Sequence, residues 1–207
     1  MAETGAIDGM SLLVYGLIRI VLTTPLTLIY RIRIEGAENW PRRGPAVIAS
    51  NHASNLDPCL VGIAFPGQIR WMSKAELWKV PGLGWLITKL GAFPVRRGEA
   101  DREAIRRARE LLGAGFIVGM FPEGTRQRHG VLGEAQPGVG MLAMEPGVPV
   151  IPVRIRGDER VMRGFRLGRP RITITVGRPV DVDAAGMSRG RAHREAGKRI
   201  MQAIGEL

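Results

Sequence analysis

The sequence is poor in the residues that cross-link a chain, ligate metals or span a bilayer. It holds a single cysteine, Cys59, so no intramolecular disulfide can form, a usage that fits a reducing compartment. Cys59 lies among apolar residues and reads as a buried filler. Only three histidines are present, and no His/Cys cluster has the spacing of a metal site. Aromatic residues make up 5% of the chain and the arginines are scattered. With neither an aromatic RNP strand nor a paired-cysteine finger, nucleic acid is not the expected partner. Neither Ser50 nor Ser54 stands in a Gly-x-Ser-x-Gly turn, which argues against a lipid hydrolase using either of them beside His52. There is also no clean run of about 20 uncharged apolar residues, the length a membrane-crossing helix needs. The most apolar stretch, Leu12 to Tyr30, is interrupted by Arg19 and Pro25.

What is abundant is positive charge. Thirty Lys and Arg against nineteen Asp and Glu give a formal charge of +11. That bias favours anionic partners such as a membrane surface or a phosphorylated substrate. At 207 residues and 45% apolar, the chain is large enough for one domain with a substantial core. Leu12 to Tyr30 suits a helix, or a helix pair broken at Pro25, lying in a membrane interface with Arg19 reaching lipid phosphates. A helix packed on the domain's own core accounts for the same pattern. Glu3 and Asp8 precede the apolar run, where a secretory leader would carry basic residues. Residues 1–30 are therefore expected to form a membrane-associated segment and residues 31–207 a single globular domain.

Along that domain, Arg31 to Gly36 alternates as a half-exposed strand does. Ala46 to Ser50 is an apolar strand, Gln68 to Ser73 another, and Gly91 to Arg97 contains a short one. Phe116 to Phe121, Val150 to Ile155 and Arg171 to Val176 complete the strand set. Asp101 to Gly113 is the clearest helix, with Ala104, Ile105, Ala108, Leu111 and Leu112 at helical spacing and Asp101 placed to cap it. Shorter helices are expected at Pro58 to Phe65 and Gly138 to Met144, and a basic one at Met187 to Ile204. Ala75 to Leu90, with Trp78, Trp85, Lys79 and Lys89, reads as an aromatic-basic surface or equally as core. Helices alternating with short apolar strands predict an α/β fold, a mostly parallel or mixed central sheet flanked by helices.

Three strand ends carry chemistry. Ala46 to Ser50 runs into His52, with Asp57 five positions on. That spacing suits neither strand nor helix, so the two side chains meet only across a bend. Pro58 supplies one, and Asp57 is expected to cap the helix it opens. A carboxylate on one imidazole nitrogen fixes the tautomer and leaves the other nitrogen as a general base. Arg96 and Arg97 end the second strand, and adjacent strand residues face opposite ways, so at most one of them points into a given site. Glu123, Gly124 and Arg126 follow the third. Ligands of open α/β sheets bind at strand C-terminal ends, where these groups would converge.

Asn51-His52 through Asp57, Gly91 to Arg97, Phe121-Pro122-Glu123-Gly124-Thr125-Arg126 and Val148 to Val153 resemble, in this order, the four motifs of the glycerolipid acyltransferases, the family typified by 1-acyl-glycerol-3-phosphate acyltransferase. The resemblance runs from about Arg31 to Pro179, making 31–207 an acyltransferase domain. It implies that His52 deprotonates the free hydroxyl of a lysophospholipid acceptor, which attacks an acyl thioester without an acyl-enzyme, while Asp57 orients His52. Arg97 would bind the acceptor phosphate, with Arg96 at a position where the family often has an acidic residue, and Arg126 would assist. Glu123 would hold the glycerol hydroxyls, Gly124 would admit substrate close to the backbone, and Pro152 would shape the acyl-donor side. No metal or bound cofactor is implied. The acyl donor, on coenzyme A or acyl carrier protein, is a co-substrate, and the expected location is peripheral or monotopic on the cytoplasmic face of the cell membrane. Glycerol 3-phosphate or another lysolipid is the alternative acceptor. A non-catalytic protein that binds a membrane surface is the remaining rival, and intact His52 and Asp57 argue against it.

Overall fold

The computed structural model describes residues 9–96, 101–127, 131–157, 171–182 and 186–207. Its organising strand is Ala46–Ser50 (β2), every residue of which is buried. A short run with no polar alternation is what a strand covered on both faces requires. Ile117–Met120 (β5) and Val150–Arg156 (β6) flank it in parallel, placing Val47 between Val118 and Val150. Ile69–Lys74 (β3) and Phe93–Val95 (β4) continue the parallel array beyond β5. On the other side, Arg171–Val176 (β7) pairs antiparallel with β6, and Arg31–Glu35 (β1) pairs parallel with β7. The sheet order is β1-β7-β6-β2-β5-β3-β4, the expected mixed α/β sheet. Because β2, β5, β3, β4 and β6 run the same way, the strand ends bearing His52, Glu123 and Arg96 open toward one edge of the molecule.

Helices cover both faces. Arg102–Gly113 (α4), Pro137–Ala143 (α5) and Arg189–Glu206 (α6) bury one apolar cluster that includes Val47, Val118, Leu112, Leu142 and Ile200. The α5–α6 crossing is so close that a Cβ on Gly140 would lie 1.9 Å from the His193 carbonyl oxygen. On the opposite face, Gly9–Ile29 (α1) and Asp57–Ala64 (α2) cover Ile48, Ile151, Ile172 and Ile174. Leu83–Lys89 (α3) follows a short 3-10 turn at Ala75–Lys79. Trp85 and Val80 in this region are exposed, with Lys79 and Lys89 exposed beside them.

The first apolar segment serves two ends at once. Pro25 does not break it, and α1 continues to Ile29 as one helix. Leu26 and Tyr30 join the core, Tyr15 donates to the Gly67 carbonyl, and Leu17, Ile20, Val21 and Leu28 stand more than 60% exposed. Arg19 does not reach outward as expected. It donates to the carbonyls of Phe65 (2.8 Å) and Pro66 (3.3 Å), satisfying the turn between α2 and β3. Among the described residues, no helix is long and apolar enough to cross a membrane.

Candidate active site

His52 leaves the end of β2 and is held on three sides. Asn51 just before it uses both ends of its amide on Ile155, accepting from the backbone nitrogen at 2.7 Å and donating to the carbonyl at 3.0 Å. This buried bridge locks the end of β2 to β6. The His52 backbone N–H donates to Glu123 Oε2 at 2.8 Å, and its carbonyl accepts from the Gln127 backbone N–H at 2.7 Å. The His52 ring meets Asp57, with Nδ1 2.7 Å from Oδ2.

Asp57 is fully buried, and the same Oδ2 accepts from the backbone N–H groups of Ala53 (2.8 Å) and Ser54 (2.9 Å). An oxygen that collects two backbone donors is an acceptor, so the third partner, Nδ1, carries the proton and Nε2 is the basic nitrogen. The expected cap is corrected here. Asp57 is the first residue of α2, Leu56 stands at the cap position, and no side chain caps the helix. The carboxylate turns back into the 53–57 loop, where the donors it collects fold the imidazole onto it. Pro58 lies in the first turn of the helix, which starts one residue earlier than expected. Its neighbour Cys59 is half-buried rather than a fully buried filler, and burial pushes its thiol up, with the Asp57 charge adding to that.

Glu123 faces the scaffold. It is 2% exposed, and besides the His52 N–H it accepts the Gly133 N–H on Oε1 at 3.0 Å. Burial raises its carboxyl above the usual range, with the N–H bonds from Gly133 and His52 opposing that rise. The carboxylate thus ties the loop after β5 to the His52 loop. Gly124 adopts φ 68°, and a Cβ there would lie 2.7 Å from the Gln136 side chain, so this left-handed turn requires glycine. Arg126 is exposed at the rim, between the Glu123 brace and the Gln127–His52 bond.

The other residues singled out in the sequence are placed differently. Arg96 follows β4, about 14 Å from β2 across three inter-strand spacings. Its guanidinium turns to Asp101 (3.5 Å) and Glu103 (3.8 Å) at the start of α4. Arg97 lies outside the described residues. Pro152 is not brought to the site: its ring packs where a Gly177 side chain would be, near Leu207, on the α6 face of the sheet. The His52 ring lies on the other face, stacked on Phe121 with centroids 4.1 Å apart, and Phe121 stacks on Trp71 at 4.8 Å. Sequence reasoning assigned no role to Asn51, Phe121 or Trp71. The first two flank residues already singled out, but Trp71 joins them only through the β2-β5-β3 neighbourhood. Among the described residues, no three His, Cys, Asp or Glu side chains gather closely enough to hold a metal ion.

The arrangement is a buried imidazole, oriented by a carboxylate, at the mouth of a parallel sheet. An acyltransferase family profile matches residues 31–156, more than half of the chain and all of the strands that build this mouth. The chain belongs to the acyltransferase family. Relatives in it include a chloroplast 1-acyl-sn-glycerol-3-phosphate acyltransferase of Arabidopsis thaliana, 35% identical over 136 residues that make up 64% of this chain and 38% of the relative. The chain thus spans well under half of that plant protein. The 1-acyl-sn-glycerol-3-phosphate acyltransferase of Bacillus subtilis is 31% identical over 69% of this chain and 71% of its own length. Among solved acyltransferases, the crystal structure of the 1-acyl-sn-glycerophosphate (LPA) acyltransferase of Thermotoga maritima superposes with a TM-score of 0.73 at 25% identity, covering 98% of this chain and 83% of that one.

Proposed function

We propose that this protein transfers an acyl group from an acyl thioester to the free hydroxyl of 1-acyl-glycerol 3-phosphate, producing phosphatidic acid. The observation that carries this reading is the buried 2.7 Å contact of His52 Nδ1 with Asp57 Oδ2, in a member of the acyltransferase family. His52 Nε2 takes the hydroxyl proton as the alcohol oxygen attacks the thioester carbonyl. The tetrahedral adduct collapses with loss of the thiolate, which recovers the proton from the imidazolium. Asp57 stabilises that transient charge. No acyl-enzyme forms, and the His52 base is worth roughly 10²- to 10⁴-fold in rate.

The acceptor phosphate is assigned to arginines: Arg97 first, Arg126 at the rim, and Arg96 if its contacts with Asp101 and Glu103 yield. Glu123 serves the glycerol side through the loop it holds, with Gly124 setting the turn. A small cleft of about 80 Å³ lined by Tyr15, Arg19, Leu22, Thr23, Ile69 and Trp71, with Pro58 next in sequence to Asp57, has room for the end of an acyl chain at most. Coenzyme A or acyl carrier protein would present the donor. The exposed stripe of α1, with Trp85 and the basic surface, favours a membrane surface as the place of work, on the cytoplasmic face.

A panel of acceptors and donors on the purified protein tests the reading. Lysophosphatidate acylated faster than glycerol 3-phosphate or other lysolipids is the expected result. Acylation of another lysolipid with lysophosphatidate ignored would reassign the acceptor.

A further inference from the structure

The His52 imidazole is anchored at its Cβ and at the Nδ1 contact with Asp57. The ring can still rock about its Cβ–Cγ bond within the slack of that hydrogen bond, and rocking moves Nε2 away from the line of proton transfer. The face of the ring has a support of its own. Phe121 lies face to face with the imidazole, 4.1 Å between centroids and 18° between planes. Phe121 is itself backed by Trp71, 4.8 Å away and 10° from parallel. The stack spans three adjacent strands, since His52 follows β2, Phe121 follows β5 and Trp71 sits within β3. Room for it is built into the sheet. A Cβ on Gly119 would lie 2.6 Å from the Trp71 ring, so glycine there lets the indole lie flat behind Phe121. The same segment that supplies the stacking face also supplies, two residues on, the Glu123 carboxylate that holds the His52 backbone.

We propose that Phe121 is a positioning residue for the general base: its face, backed by Trp71, sets the plane of the His52 ring and lies against the positive charge the ring acquires when it takes the proton. This rests on the acyl-transfer reading for its kinetic consequence, but not for its structural one. Misalignment of a base lowers turnover without weakening acceptor binding, because Phe121 is assigned no contact with substrate.

The test uses the full chain and two variants, Phe121→Leu and Phe121→Met, each checked for a native unfolding transition. Two quantities are read: kcat and KM for lysophosphatidate, and the proton resonance of the His52 ring carbon between its nitrogens. That resonance is assigned by its loss in His52→Ala from the three histidines present. Stacking on Phe121 shields it, so it should move downfield in both variants. Meanwhile kcat should fall about ten-fold with KM little changed, as expected for a displaced catalytic group. Phe121→Tyr, which keeps the ring, should restore both. Trp71→Leu should shift both in the same direction by less, and it decides the matter if neither Phe121 variant folds. A folded Phe121→Leu with unchanged kcat, or with an unmoved His52 resonance, overturns the proposal. If the wild-type protein transfers no acyl group, the function reading fails, and the resonance alone then supports or overturns the stack.

Discussion

Asp57 carries more than its partner does. One oxygen receives the imidazole and two backbone N–H groups, so it fixes the loop and the tautomer together. Asp57→Asn presents an amide in place of an acceptor-only group and invites the wrong tautomer. Turnover should fall on the order of 100-fold or more with a smaller change in KM; a kcat close to wild type would remove Asp57 from the mechanism. Glu123 makes a prediction of the opposite electrostatic kind. Burial holds its carboxyl above the usual 4.5, so the folded protein binds this proton more tightly than the unfolded chain. Its contribution to stability is therefore fully present below that value and is lost as pH rises through the folded one. The stability of the wild type relative to Glu123→Gln should decline as pH is raised from about 4 toward neutrality. A difference that is flat with pH, measured by thermal unfolding, would contradict the burial of an ionisable group at this position.

At the scale of elements, α4 is the segment whose local signals agree most fully. Asp101 accepts the Ala104 N–H at 3.1 Å as a helix cap and the Arg96 N–H at 2.7 Å, joining the end of β4 to the helix. Burial acts to raise its carboxyl, but those N–H bonds and the Arg96 charge outweigh it and hold it below its usual value. Asp101→Ala should cost about 0.5–2 kcal/mol at neutral pH. Because the folded value is depressed, that cost should shrink as pH falls through it, and a cost independent of pH would refute the assignment. Such elements are legible from sequence because cap, periodicity and stop coincide in neighbouring residues. The strands were legible for a similar reason: β2 and β7 match the expected spans residue for residue. What escaped the sequence depends on contacts between distant segments. The sequence leaves open whether Pro25 breaks the first helix, and packing at Leu26 and Tyr30 goes with one unbroken α1. Arg19 was read as a lipid-facing cation because the turn carbonyls it satisfies lie some 46 residues away. Asp57 was read as a cap because its loop donors could not be seen. The pairing of His52 with Asp57 was legible from the bend at Pro58, whereas the aromatic stack needed the strand order.

Over the whole molecule, the features assigned to the proposed function lie on the same face of the sheet. The His52 ring, the small cleft and α1 share the α1–α2 side, and α1 turns Leu17, Ile20, Val21 and Leu28 outward. A lipid acceptor arriving from a membrane along that stripe would meet the base without crossing the sheet. Replacing these four residues with Asn should leave stability nearly unchanged, within about 0.5 kcal/mol per exposed site. Binding to anionic vesicles in co-sedimentation should weaken by more than about ten-fold, given roughly 1.5–3 kcal/mol for each apolar side chain buried. Undiminished vesicle binding would place the membrane contact elsewhere on this basic chain. The proposed chemistry turns on one nitrogen. Acyl transfer from a radiolabelled thioester to lysophosphatidate, compared between the wild-type protein and a folded His52→Ala variant, tests that most directly. The account predicts product from the wild type and a loss on the order of 10²- to 10⁴-fold in the variant; equal rates from the two proteins would contradict it.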